Sequence, residues 1–183
     1  LDLLGEIRLR TREIFIFLVI LTVAAAFGLQ VWRTLYNNFA VEIVGLNGLQ
    51  NGVVQSIREI PGFLALLVIY LLLIIKEHRL AALSVLIMGL GVCLTGLLPR
   101  FYGLIFTTLM MSFGFHYFET LNQSLTLQHF DTRTSPLVFG RLRSLGAASN
   151  ILVGGLVFGL TMVLSFQSIY LLFGLLVALF ALY

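Results

Sequence analysis

The chain is divided into apolar stretches close to the length that crosses a bilayer, and nothing else in it constrains the fold as strongly. One span needs roughly 20 mostly apolar residues. Such stretches run at about 13–40, 51–75, 80–98, 101–128, 142–164 and 167–183. With short connections they use nearly all of the 183 residues. Hydrophobic side chains make up 60% of the chain and charged ones 10%, with a mean hydropathy of +1.05. A soluble domain of this size has too much surface for its volume to hide that fraction, whereas lipid solvates it. The expected fold is all-α: a polytopic bundle of six transmembrane helices in one transmembrane domain, 1–183, with the lipid bilayer as its solvent.

The breaks have local causes. Gly45, Asn47, Gly48, Asn51 and Gly52 interrupt the pattern after the first span, and Lys76, Glu77, His78 and Arg79 follow the second. Pro99 and Arg100 separate the third from the fourth, and the segment His129 to Arg141, with Asp131, Arg133 and Pro136, separates the fourth from the fifth. Only Ser165, Phe166 and Gln167 stand between the fifth and sixth, which predicts a tight helical hairpin. The opening Leu1 to Arg12 reads as a flanking or interfacial segment rather than a secretory signal, since no small-residue cleavage site follows the apolar run. Without an initiator Met, and with a last span still apolar at Tyr183, the chain reads as trimmed at its start and cut at its end.

Charge sets the expected orientation. With an even number of spans, one side receives Arg8, Arg10, Arg12, Lys76, Arg79, Arg133, Arg141 and Arg143, leaving Arg33, Arg58 and Arg100 elsewhere. The positive-inside rule then puts both termini in the cytoplasm, in the inner (plasma) membrane of a bacterium. The net charge of +3 is no nucleic-acid footprint, because the basic residues sit in separate loops. The single Cys93 allows no disulfide within the chain and makes a thiolate metal site unlikely. No phosphate-binding glycine loop, nucleophile motif or cofactor motif is present, so no enzymatic activity is expected.

Charge retained inside a bilayer costs roughly 2.5–3.5 kcal/mol per group at mid-helix, so each such group calls for a reason. In the fourth span Thr108, Ser112, His116, Glu119, Gln123 and Thr126 fall within a sector of about 80° at 100° per residue. Such a face lines a water-filled pathway or forms a seam to neighbouring helices. The first span repeats the design with Thr22, Gln30, Arg33 and Asn37; the second carries Gln55 and Glu59 one turn apart, with Arg58 adjoining and Gly62 beneath. Arg33 and Arg58 balance Glu59 and Glu119 in formal charge. The candidate substrate or ion pathway is therefore Arg33, Asn37, Gln55, Arg58, Glu59, His116, Glu119 and Gln123.

The fifth span has Arg143, Ala147, Asn150, Gly154, Thr161 and Ser165 on one side, and on the other a small-residue strip, Ala148, Gly155 and Gly159, of the kind that admits a neighbouring backbone. The third and sixth spans are poorest in polar groups and are expected to face lipid on most sides. This ranking repeats with a period of three helices, as two inverted three-helix repeats require.

With these features the chain resembles the amino-terminal six-helix half of a major facilitator superfamily transporter, over essentially its whole length. The stretch from Val44 to Gly52 resembles that family's first outer loop, Pro61-Gly62 the Pro-Gly of its second helix, and Gly140-Arg141 with Gly154, Gly155 and Gly159 its fifth. The family's G-x-x-x-D-R-x-G-R-R loop is echoed only by Lys76 and Arg79, with Ile75 and His78 near the expected Asp and Gly. The arginine early in the fourth helix is absent around Met110-Met111, as is the antiporter proline of the fifth. The resemblance implies secondary transport of a small-molecule substrate by alternating access, without a cofactor. It also implies a second six-helix half, from the same chain beyond Tyr183 or from a homodimer partner. Glu119 beside His116 is the expected site of any proton coupling. Two other classes fit the residues: a membrane-embedded metal enzyme using His116, Glu119, His129 and Asp131, and a non-transporting receptor or scaffold of transporter fold.

Overall fold

A computed structural model describes the backbone of residues 3–182 and the side chains from Thr11 to Leu182. Leu1, Asp2 and Tyr183 lie outside the described residues, as do the side chains of Arg8 and Arg10, and with them part of the expected charge asymmetry. The described residues form helices joined by short turns, with no strand among them. In chain order these are α1 (Leu3–Asn38), running into a wider π turn (Phe39–Ile43); α2 (Gly48–Phe63), a 3₁₀ turn (Leu64–Leu67) and the short α3 (Val68–Leu72); α4 (Glu77–Leu97); α5 (Phe101–His129); α6 (Ser135–Leu160); and α7 (Phe166–Phe180). Four continuous helical stretches are long and apolar enough to cross a membrane: Thr11–Ile43, Gly48–Leu72, Glu77–Leu97 and Ser135–Leu160. The chain is an integral membrane protein. The other two expected spans fall short for different reasons. At 29 residues α5 has the length, but its polar side chains dilute its apolarity; α7 is strongly apolar but only 15 residues long.

Helix ends follow side-chain chemistry. Asn47 opens α2 with a reciprocal cap: its Oδ1 accepts from the Gln50 backbone N–H at 2.9 Å, and Gln50 Oε1 accepts from the Asn47 N–H at 3.1 Å. Gly45, at φ 73°, supplies the left-handed turn before it. Ser165 caps α7 by accepting from the Ser168 N–H. The connection between the fourth and fifth spans is much shorter than expected. Pro136 lies in the first turn of α6, where its missing N–H costs nothing, so the helix starts at Ser135 and carries Arg141 within it. Pro61 lies inside α2, and the helix gives way to the 3₁₀ turn three residues later.

The lipid-facing rim expected of the third span is not what forms. α4 is the centre of the bundle, packed against α5, α7 and α1. Glycine makes this possible. A Cβ on Gly89 would lie 2.6 Å from the Ala178 backbone N, one on Gly91 2.5 Å from Met111 N, one on Gly114 2.4 Å from Ser84 O, and one on Gly174 2.3 Å from Cys93 N. Backbones touch at all four positions, so α4 is buried by neighbours as apolar as itself. α7 is two-sided: Ile169, Tyr170, Phe173 and Val177 face the bundle, while Leu172, Leu175 and Leu179 face outward. Elsewhere α1 packs on α6 and α7, and α2 on α5. Stacked Trp32 and Tyr36, with ring centroids 4.3 Å apart, and Phe39 edge-on to Tyr170 at 5.2 Å fill the core beside α7.

Candidate functional site

Two connected sets of polar residues face the side of the bundle that α4 and α7 leave open. The first is small. Leu29 and Arg33 from α1, Arg58 and Glu59 from α2, and Met111, Ser112, Phe115 and His116 from α5 enclose about 60 Å³, room for water but not for a solute. Four of the eight residues read from the sequence as the pathway meet here. Arg58 grips Glu59, with Nε 2.9 Å and Nη2 2.5 Å from Oε1, and its guanidinium lies 5.5 Å from the centre of the buried Trp32 ring. The Arg58 carbonyl accepts from Ser112 Oγ, joining α2 to α5. His116 lies over Gly62, where an added Cβ would come within 3.2 Å of the imidazole Cε1; the absent side chain is what admits the ring.

The second set lines a groove of about 680 Å³ between α1, α5 and α6. That volume lies within the ~300–1,000 Å³ of small-molecule sites. Its polar groups are Thr22 from α1, Glu119, Asn122 and Gln123 from α5, and Arg143 and Asn150 from α6, set among Leu29, Phe115, Phe118 and Phe139. Asn122 Nδ2 donates to Thr22 Oγ1 at 3.5 Å, joining α5 to α1, while the side-chain Oδ1 of Asn122 is buried without a partner among the described residues. Leu29 and Phe115 belong to both cavities and form the partition between them.

The polar sector of α5 thus divides. Thr108, Ser112 and Thr126 are buried in the bundle, where Ser112 bonds to α2 and Thr126 bonds back to the Asn122 carbonyl. Ser112 also lines the small cavity together with His116, and Glu119 and Gln123 line the groove. Asn37 and Gln55 line neither. Asn122 was missed by sequence reasoning, and Arg143 and Asn150 were placed on a polar face without being assigned to the pathway. The signal that would have found them is packing: α6 crosses α1 with Gly146 against Thr22 and Gly154 against Gln30, which turns that polar face toward Glu119.

Charge in this region does not cancel locally. Arg58–Glu59 is the one salt bridge among the described residues, so Arg33, Glu119 and Arg143 stand without an ion pair. No hydrogen bond joins Glu119 to His116 among the described residues; the two look into different cavities. Among the described residues no three of His, Cys, Asp and Glu gather where a metal could be held. Comparison with protein-family models gave no match, and comparison with curated proteins gave none.

Proposed function

We propose that this chain is one half of a secondary transporter that carries a small solute bearing an anionic group across the membrane by alternating access. The observation that carries this reading is the open groove between α1, α5 and α6, with Glu119 and Arg143 unpaired on facing walls. Unpaired charge at membrane depth is costly, and a solute that exchanges in and out is a reason to keep it. Arg143 would attract the anionic group, and Glu119 would take up a proton or a cationic group of the same solute.

Helix pairing supports the major facilitator type. α1 packs on α6 and α7 as α5 packs on α2 and α4, and α4 meets α7 between them. Exchanging the first three spans for the last three maps α1 on α6 onto α5 on α2, α4 on α5 onto α7 on α1, and α4 on α7 onto itself, while the packing of α1 on α4 has no counterpart of similar extent between α5 and α7. The second half would come from the same polypeptide or a second copy, closing the groove on the face that α2 and α6 flank. Both termini would then lie on the cytoplasmic side.

The test uses the full-length protein in proteoliposomes and a panel of labelled small organic acids and zwitterions in counterflow. At least one should exchange, and Arg143→Gln should reduce that exchange tenfold or more. For a proton-coupled carrier, Glu119→Gln abolishes uptake driven by a pH gradient and preserves counterflow. Unchanged gradient-driven uptake would reject the role of Glu119, and no exchange across the panel would reject transport of this class.

A further inference from the structure

On the opposite face of α5 lies a second groove, of about 500 Å³, with no part in the polar pathway. Its walls are Leu80, Leu83 and Ile87 of α4, one face of α5 from Phe106 through Met110 and Phe113 to Tyr117, and Leu71 and Ile75 at the end of the broken second span. It offers a solute nothing polar. Its two hydroxyls are spent on carbonyls: Ser84 Oγ donates to Leu80 O at 2.7 Å, and Tyr117 OH to Leu64 O at 3.3 Å. From Phe106 to Tyr117 it follows α5 for about 16 Å at 1.5 Å per residue step, which is about half of the ~30 Å hydrocarbon core. A packed helix would need the full thickness. A chain belonging to one leaflet needs half.

The end of the groove at Ile75 and Leu80 is where the chain turns from α3 into α4, and that turn is Lys76-Glu77-His78-Arg79. Lys76, His78 and Arg79 are exposed. Glu77 is turned toward α5, its Oε2 accepting from Gln128 Nε2 at 2.6 Å. On α4, Arg79 stands four residues before Leu83, on the helical stripe that continues into the groove, and Lys76 is the extended residue just before the helix begins. An apolar trough one leaflet deep therefore opens beneath two cationic side chains at the membrane edge.

We propose that this groove binds one anionic phospholipid, with an acyl chain between α4 and α5 and its phosphate at Lys76 and Arg79. The proposal rests on the chain being an integral membrane protein and is independent of the transport reading. Each basic residue near an anionic lipid surface is worth roughly a fivefold preference, so two set an expected preference on the order of 20-fold.

The experiment is native mass spectrometry of the delipidated full-length protein, offered phosphatidylglycerol and phosphatidylcholine with identical acyl chains. One phosphatidylglycerol should be retained, on the order of 20-fold in preference. Lys76→Ala with Arg79→Ala, both exposed and so harmless to folding, should bring the two lipids near parity. Leu83→Trp, at a position 39% exposed, should weaken both lipids by filling the groove. Inorganic phosphate in excess should not displace the lipid. The proposal fails if the wild type shows no preference, if the preference survives the double substitution, if phosphate alone competes, or if Leu83→Trp leaves binding unchanged. It also fails if the groove is covered by a second copy, seen as a dimer that Leu83→Trp dissociates.

Discussion

α4 and α6 carry the same kind of residues and meet opposite fates. Both are apolar, both are long enough to span, and both have glycines at helical spacing. Yet 61% of the most apolar stretch of α4 is buried, against 22% for α6. On α4, Gly89 and Gly91 are filled by the backbones of α7 and α5. On α6, Gly155 and Gly159 meet nothing, and Ile151, Phe158 and Met162 beside them are largely exposed. A small-residue strip is thus half of an interface. It becomes a contact only where the facing helix supplies a matching surface, as Gly174 of α7 does against Cys93. The strip of α6 meets no facing surface among the described residues.

The sharpest test of this contrast is a matched set of alanine substitutions. Gly174→Ala drives a Cβ to 2.3 Å from the backbone N of Cys93, which cannot retreat as a side-chain tip can. The cost should lie at the upper end of overpacking, about 3 kcal/mol, read from reversible unfolding in detergent. Gly155→Ala and Gly159→Ala meet open space and gain helix propensity, so either should be neutral or stabilising by up to ~1 kcal/mol. Equal losses at the two sets would break the comparison.

An intermediate effect is expected at Gly62, whose neighbour is the movable His116 ring. Gly62→Ala should cost less than about 1 kcal/mol, because the imidazole can shift a few tenths of an ångström. Because that shift moves a group lining the small cavity, solute exchange in proteoliposomes should fall more than stability does.

The smallest effect belongs to Asp131, at the entry to α6. Its Oδ1 accepts from Thr134 Oγ1 and the Thr134 N–H, both at 2.7 Å, and from the Arg133 N–H at 3.1 Å. Led by the Thr134 hydroxyl, these donors hold its carboxyl below the usual carboxylate range. A carboxyl acidified by folding adds stability above its unfolded pKa and loses it as pH falls through the folded value. Asp131→Asn should therefore leave unfolding at pH 7 little changed and remove a small part of the destabilisation seen below about pH 4. An undiminished acid sensitivity would show that the turn contributes nothing to it.

Much of the bundle was legible beforehand because crossing a bilayer imposes a length. The expected 101–128 is observed as Phe101–His129, and 80–98 as Glu77–Leu97. Burial was not legible, because lipid and a neighbouring helix are both apolar and hydropathy cannot tell them apart. Gly89, Gly91 and Gly96 were the residues to weigh, and composition passed over them. At the site, helical angle put His116, Glu119 and Gln123 in one sector of α5; in the structure His116 lines the small cavity and the other two line the groove. The angle could not separate them from Thr108 and Thr126, which share the sector but are buried in the bundle and line neither cavity. Arg33, Arg58 and Glu59 could be named as candidates because ionised groups stand out in an apolar chain, and the structure brings them to one small cavity. Asn122 was hidden by lying outside the sector that defined the face.

The hydroxyls on α5 have a mechanical meaning. Ser112 holds the carbonyl of Arg58, and Tyr117 holds that of Leu64, two fixing points about 9 Å apart along the second span and on either side of Pro61. A helix pinned twice cannot roll on its neighbour without breaking a bond, so α2 and α5 form one stiff plate. Among the described residues no side-chain hydrogen bond fastens α6 to another helix; its hydroxyls at Ser144 and Thr161 turn back on their own backbone. Dispersion alone holds it to α1, through surfaces as smooth as Gly146 and Gly154. One flank of the polar groove is bolted and the other is held without a bolt, so the least costly place to widen that groove is the seam of α6.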